Sequence, residues 1–374
     1  MWSRRRSHCA GTPLSGSRGR PSANSEVTSR EGGAHASWQE HALRLLRISN
    51  APNAIPPTAV ETDGCTPACL EKLLDRKIDS LYYGAVSPGS PVQRLYDAIW
   101  SAQERVCASV LADLAAAGTM PLVFKGGDFQ KRYWPFAVSA SADIDILLPR
   151  THLGVARASL YSNGYRQAKF DRKQGRLIDG DVVEIGEVEA GHYELFPFCR
   201  LEPIVLAPDE REAADGRNLP LFIDARDAFL IVEIDVHHRV SVDLESEPLI
   251  ERSRSSPYGH GLSMSAEDHL WFTTSRLYTE TAIHGKRSLR DFAFLLSLLA
   301  NETIDWDALL AIAREYELHA ALYYYFHFLA FLGGPIPAGV LEQLSPRHSR
   351  RLRDWGWQLS VLFDWVDPAP FGPV

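Results

Sequence analysis

The spacing of apolar positions changes several times along the chain, and each change predicts a different kind of element. SWQEHALRLLRI from Ser37 carries helical spacing, as does PACLEKLLDRKI after a loop containing Pro and Asn. Over VQRLYDAIWSAQERVCASVLADLAAAG, the residues Leu95, Ile99, Val106, Val110, Leu111 and Leu114 recur as one stripe. That stripe predicts a long amphipathic helix with a buried face, ended by a left-handed Gly118. Two β-type runs, Leu122 to Phe124 and Ile144 to Leu148, then flank a segment that opens on Lys125, Gly126 and Gly127 and closes on Asp143 and Asp145.

After these runs, Thr151 is the expected N-cap of a helix through THLGVARASLYSNG that stops at Gly164. The pattern then turns strand-rich: YRQAKF, RLIDG, VVEIGEV, HYELFPF, PLFIDA and FLIVEIDVHHRVSV, with Asp179-Gly180 and Ala190-Gly191 as turns. A mixed or antiparallel sheet is expected. The rest reads as helices: SAEDHLWFTTSRLYTET, opened by Ser265 with Asp268; SLRDFAFLLSLLAN, closed by Asn301; DWDALLAIAREYEL; HAALYYYFHFLAFLG; and HSRRLRDWGWQLSVLFDWV. The expected organisation is a tail over residues 1–36, a helical region over 37–117, an α/β domain over 118–246 and a helical domain over 247–374. The Ser-, Arg- and Gly-rich stretch 1–36 has no apolar run after its arginines, so it reads as a disordered tail or an over-long gene start.

Composition narrows the function. The 374 residues are 45% hydrophobic, ordinary for a globular chain with a sizeable core, and no apolar run is long enough to span a bilayer. A formal charge of −8 argues against generic electrostatic binding of nucleic acid. The five cysteines are widely spread; Cys65 and Cys69 could chelate a metal or form a disulfide, but incidental thiols in a cytoplasmic protein are the simpler expectation.

The chemistry sits on the strand acids. Side chains alternate along a strand, so Asp143 and Asp145 leave one face while Ile144 and Ile146 leave the other. Two carboxylates about 7 Å apart repel by roughly 2 kcal/mol at an effective dielectric near 20, which predicts a raised pKa or a bound cation. A third acid, Asp235, lies in FLIVEIDVHHRVSV on the same face as Glu233 and His237. Three strand-borne acids suit two magnesium ions in phosphoryl transfer.

The order KGG, DID, EIDVHHR resembles the nucleotidyltransferase superfamily that shares the DNA polymerase beta palm, and more narrowly the poorly characterised bacterial nucleotidyltransferase family proteins. The matching pieces are Lys125 to Gly127, Tyr133, Asp143 to Leu147, Leu160 to Tyr165 and Asp235 to Arg239, within about residues 90 to 300. The resemblance implies an α/β (α+β) polymerase-beta-like palm with a mixed sheet, flanked by N-terminal helices and a C-terminal helical domain. It implies metal ligation by Asp143, Asp145 and Asp235, with Asp235 as a candidate base. It also implies triphosphate binding by Lys125, Gly126 and Gly127, with His237 orienting Asp235 or contacting the nucleotide. Relatives carry Arg and Gly where this chain has Ser139 and Ala142; Lys131, Arg132, Lys286, Arg287 and Arg290 are candidate replacements for the Arg.

The expected activity is transfer of an NMP group from an NTP, ATP first among them, to a hydroxyl or similar acceptor, with Mg2+ and release of pyrophosphate. The acceptor is a small molecule, peptide or protein, with nucleic acid less favoured and no membrane involved. The alternatives are a toxin-type nucleotidyltransferase of a toxin-antitoxin pair acting on tRNA or protein, and a weakened nucleotide-binding module. His192 is expected to be structural or at the surface, His238 a core histidine, and the aromatic run Tyr323 to Phe331 helix packing. The basic run His348 to Arg353 is expected to be a solvated face.

Overall fold

The computed structural model describes residues 37–50, 65–138, 140–141, 143–241, 244–345, 358 and 361–364. Eleven strands occur among them: β1 Leu122–Val123, β2 Asp143–Leu147, β3 Arg166–Asp171, β4 Arg176–Asp179, β5 Phe198–Pro203, β6 Leu221–Ile223, β7 Ala228–His237, β8 Arg239–Ser241, β9 Leu244–Glu245, β10 Arg254–Ser255 and β11 Leu262–Ser263. Nine form one mixed sheet in the order β10-β11-β1-β2-β7-β5-β3-β4, with β6 also on β7. The pairs β1–β11 and β2–β7 are parallel and the others in this sheet antiparallel, as a mixed α/β architecture requires. β8 and β9 form a separate two-stranded antiparallel sheet.

Period-two alternation divides the central strands between two cores. Ile144, Ile146 and Leu148 join Val123, Ile234 and Val236 in a cluster with the long helix Pro91–Ala116, whose predicted stripe residues are all buried. Burying each of these aliphatic side chains contributes about 1.5–3 kcal/mol. The second cluster joins Leu122, Phe124 and Leu147 to the helices Ala266–His284, Arg290–Asn301, Trp306–Glu315 and His319–Phe331, and to Trp38–Ile48 and Pro67–Asp75. Asp143 and Asp145 alternate with the residues of the first cluster, so they leave the sheet on the face that carries Leu147 toward the C-terminal helices. Tyr324, Tyr325, Phe326 and Phe328 are fully buried in this second cluster, as expected for packing residues.

Several expectations need correction. VVEIGEV is not a strand: Val182–Gly191 is a helix, with the Asp181 side chain accepting from Val183 N–H at 2.8 Å. Its β-branched residues suggested a strand, but Val182 and Val183 are largely exposed and no residue of the helix is buried. HYELFPF contributes only an isolated bridge between Glu194 and His237, and β5 begins at Phe198. Thr151 is not an N-cap, because it lies inside a 3-10 turn, Arg150–His152, that runs directly into the helix Leu153–Ser162. Short helices at Asp79–Val86, Pro208–Ala213 and Ala338–Leu344 also occur. Gly118 and Gly164 adopt the left-handed backbone at the helix ends where they were expected.

Candidate active site

The turn after β1 is built by an uncommon backbone. Lys125 has φ 62° and ψ −145°, a region that strongly favours glycine, and it throws the chain from Phe124 directly into the helix Gly126–Tyr133. Holding a lysine there costs about 1–3 kcal/mol unless the surroundings fix it. They do: the Lys125 ammonium is ion-paired to Asp145 Oδ1 and lies 5.1 Å from the centroid of the Phe124 ring. The following helix has no side-chain cap at its N-terminus. Its underside is pinned to the C-terminal helices, where His269 Nε2 lies 2.8 Å from Asp128 Oδ2 and Phe129 stacks on Phe294 at 5.3 Å.

Parallel pairing then assembles the acids. Register partners across β2 and β7 are Asp143 with Glu233 and Asp145 with Asp235. Ser141 donates to Asp143 Oδ1, and Gln103 donates to the Ser141 carbonyl, so the approach to β2 is fastened to the long helix. His237 Nε2 lies 3.0 Å from Asp145 Oδ1, while its Nδ1 lies 3.5 Å from Glu194 Oε2. Asp145, Asp235 and His237 each offer a ligand atom, all within 4.8 Å of one another, a geometry suited to a metal ion. The structure therefore brings Lys125, Asp143, Asp145, Asp235 and His237 together, with Gly126 and Gly127 lining the adjoining space.

The acids differ sharply in electrostatics. Burial works against ionisation of Asp145, but Lys125 and His237 outweigh it and hold the carboxyl well below the usual range. Burial, followed by the charges of Asp145, Asp143 and Glu233, pushes Asp235 up to about 9. Burial and the same neighbours, Asp143 and Asp145, also raise Glu233. An acid kept protonated by other acids fits a divalent cation, which would replace its proton.

Two pockets share Gly126, Gly127, Ser141, Asp143 and Asp145. One has Trp100, Gln103, Cys107 and Tyr258 in its wall; the other has Thr273, Arg276, Arg290 and Asp291. Arg276 is ion-paired to Glu280 at 2.9 Å, and Lys286 is paired to Glu280 as well. Burial first, then the charges of Arg290 and Lys286, lower the pKa of Lys77, a sign of crowded positive charge.

A family model described as an uncharacterised nucleotidyltransferase matches residues 100–334. The chain belongs to that family. Membership supports a nucleotidyl-transfer role in general, and the family segment contains both pockets' charged residues and all three strand acids. No curated protein and no solved structure matches the chain. No helix among the described residues is long and apolar enough to cross a membrane.

Of the replacements expected for the Arg of relatives, Arg290 lines one of these two pockets and the others line neither. Lys131 pairs with Glu104, Arg132 contacts Asp128 at 3.5 Å, Arg287 lies 3.8 Å from Asp75 and Lys286 turns to Glu280. Ser139, Ala142 and the basic run His348 to Arg353 lie outside the described residues. The sequence reading missed Arg276, Glu194 and Tyr258. Arg276 is a single cation in a helical pattern, and only packing of Ala266–His284 against the sheet carries it to the pocket. His192 is exposed, 3.8 Å from Glu194, and His238 is buried.

Proposed function

We propose that this family member has a polymerase-beta-like palm and is a magnesium-dependent nucleotidyltransferase that moves an NMP group from an NTP, with ATP the first candidate, to an acceptor nucleophile. The observation that carries this reading is the parallel pairing of β2 with β7, which sets Asp145 beside Asp235 with Asp143 on the same face, next to an uncapped helix N-terminus opened by two glycines. Asp143, Asp145 and Asp235 would hold the magnesium ions, which neutralise the triphosphate and activate the attacking oxygen when bound. The Gly126 and Gly127 end of the helix, with its dipole, favours phosphate. Lys125, Arg276 and Arg290 surround the same pocket with positive charge. The acceptor hydroxyl attacks the α-phosphorus, the bond to the bridging oxygen toward the β-phosphorus breaks, pyrophosphate leaves, and Asp235 is placed to take the hydroxyl proton.

The substitution of Arg by Ser139 is compatible with activity in this reading, because Arg276 and Arg290 reach the phosphate side from the C-terminal helices. The pocket bearing Trp100 and Tyr258 presents aromatic surface suited to the nucleobase or to an apolar acceptor. Titration of the protein with each NTP in the presence of Mg2+, followed by mass analysis of metabolites and proteins after reaction with α-labelled nucleotide, tests the proposal. Expected is saturable binding that is lost with Asp143→Asn, and label transferred with release of pyrophosphate. Failure of every NTP to bind with Mg2+ present overturns it.

A further inference from the structure

We propose that His41, Cys65 and Cys69 form a second metal site, separate from the strand acids, that takes a zinc ion and ties the helix Trp38–Ile48 to the helix Pro67–Asp75. One ring nitrogen of His41 and the sulfurs of Cys65 and Cys69 lie within 4.8 Å of one another. Both cysteines are free thiols, with Sγ atoms 2.9 Å apart. His41 is 2% exposed, and its buried Nε2 has no hydrogen-bond partner among the described residues. A buried imidazole with an unpartnered nitrogen is costly in an apolar core, and with two sulfurs close to the same ring a metal bond would satisfy it.

The fold explains why these three residues meet. His41 lies on the buried face of its helix with Ala42, Leu45 and Leu46, while Thr66 caps the second helix and sets Cys65 just before it and Cys69 in its first turn. The helices pack on each other in the core that also holds the C-terminal helices. The donor set is one imidazole and two thiolates, soft to borderline ligands that select zinc over magnesium. Zn–S bonds of about 2.3 Å at tetrahedral angles place two sulfurs about 3.8 Å apart, so the thiols need to separate by about 1 Å. Binding replaces both thiol protons: Zn2+ and two S–H groups give two Zn–S bonds and two released protons, while neutral His41 supplies a lone pair. Three protein ligands leave the fourth position to water.

Burial, with Cys65 beside it, raises the Cys69 thiol to about 12, and burial, followed by Arg44, lowers the pKa of His41. Cobalt is the probe of choice, because thiolate ligation gives a near-ultraviolet charge-transfer band that oxygen ligands do not. Full-length protein, stripped of metal under reducing conditions and titrated with Co2+, is expected to show this band at one equivalent per chain, with zinc displacing it. Cys65→Ser, Cys69→Ser and His41→Asn are each expected to weaken or abolish it, whereas Asp235→Asn retains it. On unmutated protein, one equivalent of zinc is expected to protect Cys65 and Cys69 from alkylation, read by peptide mass. Absence of the band, a band that survives loss of both cysteines, or recovery of a Cys65–Cys69 disulfide in place of zinc protection would each overturn the site.

Discussion

Asp145 and Asp235 are register partners on β2 and β7, yet their surroundings push their carboxyl pKa values in opposite directions, Asp145 down and Asp235 up. Lys125 and His237 both contact Asp145, whereas the neighbours of Asp235 are chiefly acids. The asymmetry puts the excess of negative neighbours beside Asp235, whereas Asp145 is already partly neutralised by Lys125.

That asymmetry predicts a pH dependence. In metal-free protein the folded state keeps a proton on Asp235, pushed up to about 9, which the unfolded chain gives up near about pH 4. Its stabilising contribution is fully present at acid pH and declines as the pH rises toward the folded value. In the proposed site magnesium would replace this proton, so its apparent affinity is expected to rise over the same interval. Thermal unfolding measured with and without Mg2+ at a series of pH values checks this, and Asp235→Asn should flatten the dependence. An Mg2+ affinity indifferent to pH would contradict it.

The two acids of β2 separate two kinds of loss. Asp143 is partly exposed, and Asp143→Asn is expected to abolish transfer while leaving thermal stability near wild type. Asp145 is 5% exposed and faces the Lys125 ammonium, so Asp145→Asn leaves a buried charge unpaired and is expected to cost about 3 kcal/mol in addition to activity. Lys125→Met combined with Asp145→Asn should regain much of that stability without regaining transfer. Denaturant unfolding of the four proteins decides; equal stabilities for the two single Asp variants would show that the ion pair carries no weight.

Period-two alternation made the acids legible in the sequence, because Ile144, Ile146, Ile234 and Val236 had to face a core and so sent Asp143, Asp145 and Asp235 the other way. Nothing local announced that β2 and β7 pair in parallel, since that neighbour relation crosses about ninety residues. Nor did repulsion between bare carboxylates describe the site, because Lys125 bends back onto Asp145 from a backbone conformation that its sequence, a lysine, gave no reason to expect. VVEIGEV failed for the opposite reason. Its β-branched pattern is real, but Glu184 pairs with Lys169 and Glu189 with Arg157 across a helix that buries nothing, so the pattern reports no sheet face.

Arg276 offers a test of the phosphate side. It lines the pocket with Lys125 and Arg290, and Asp291, Glu280, Asp145 and Asp143 keep its guanidinium charged despite burial. A charge-assisted contact to phosphate is worth about 1.5–3 kcal/mol, so Arg276→Ala is expected to raise the NTP Kd about ten- to a hundredfold. Arg157→Ala, which removes a cation paired to Glu189 away from the pocket, serves as the control. Calorimetric titration with MgATP and with pyrophosphate measures both. Equal affinities for the two variants would remove Arg276 from the binding surface.

Gly126 separates fold from ligand most directly. It has an ordinary helical backbone, and a Cβ built there would meet only Phe294, at 3.7 Å, which is normal contact. The protein itself therefore does not require glycine at this position, and alanine is favoured over glycine in a helix by about 0.5–1 kcal/mol. In the proposed site the requirement comes from the phosphate, which must approach the first turn of the helix closely enough to accept from its backbone N–H groups. Gly126→Ala is expected to unfold at the wild-type temperature or slightly above it while binding MgATP more weakly. Loss of both stability and binding would assign the glycine to folding, and unchanged binding would place the triphosphate elsewhere in the pocket.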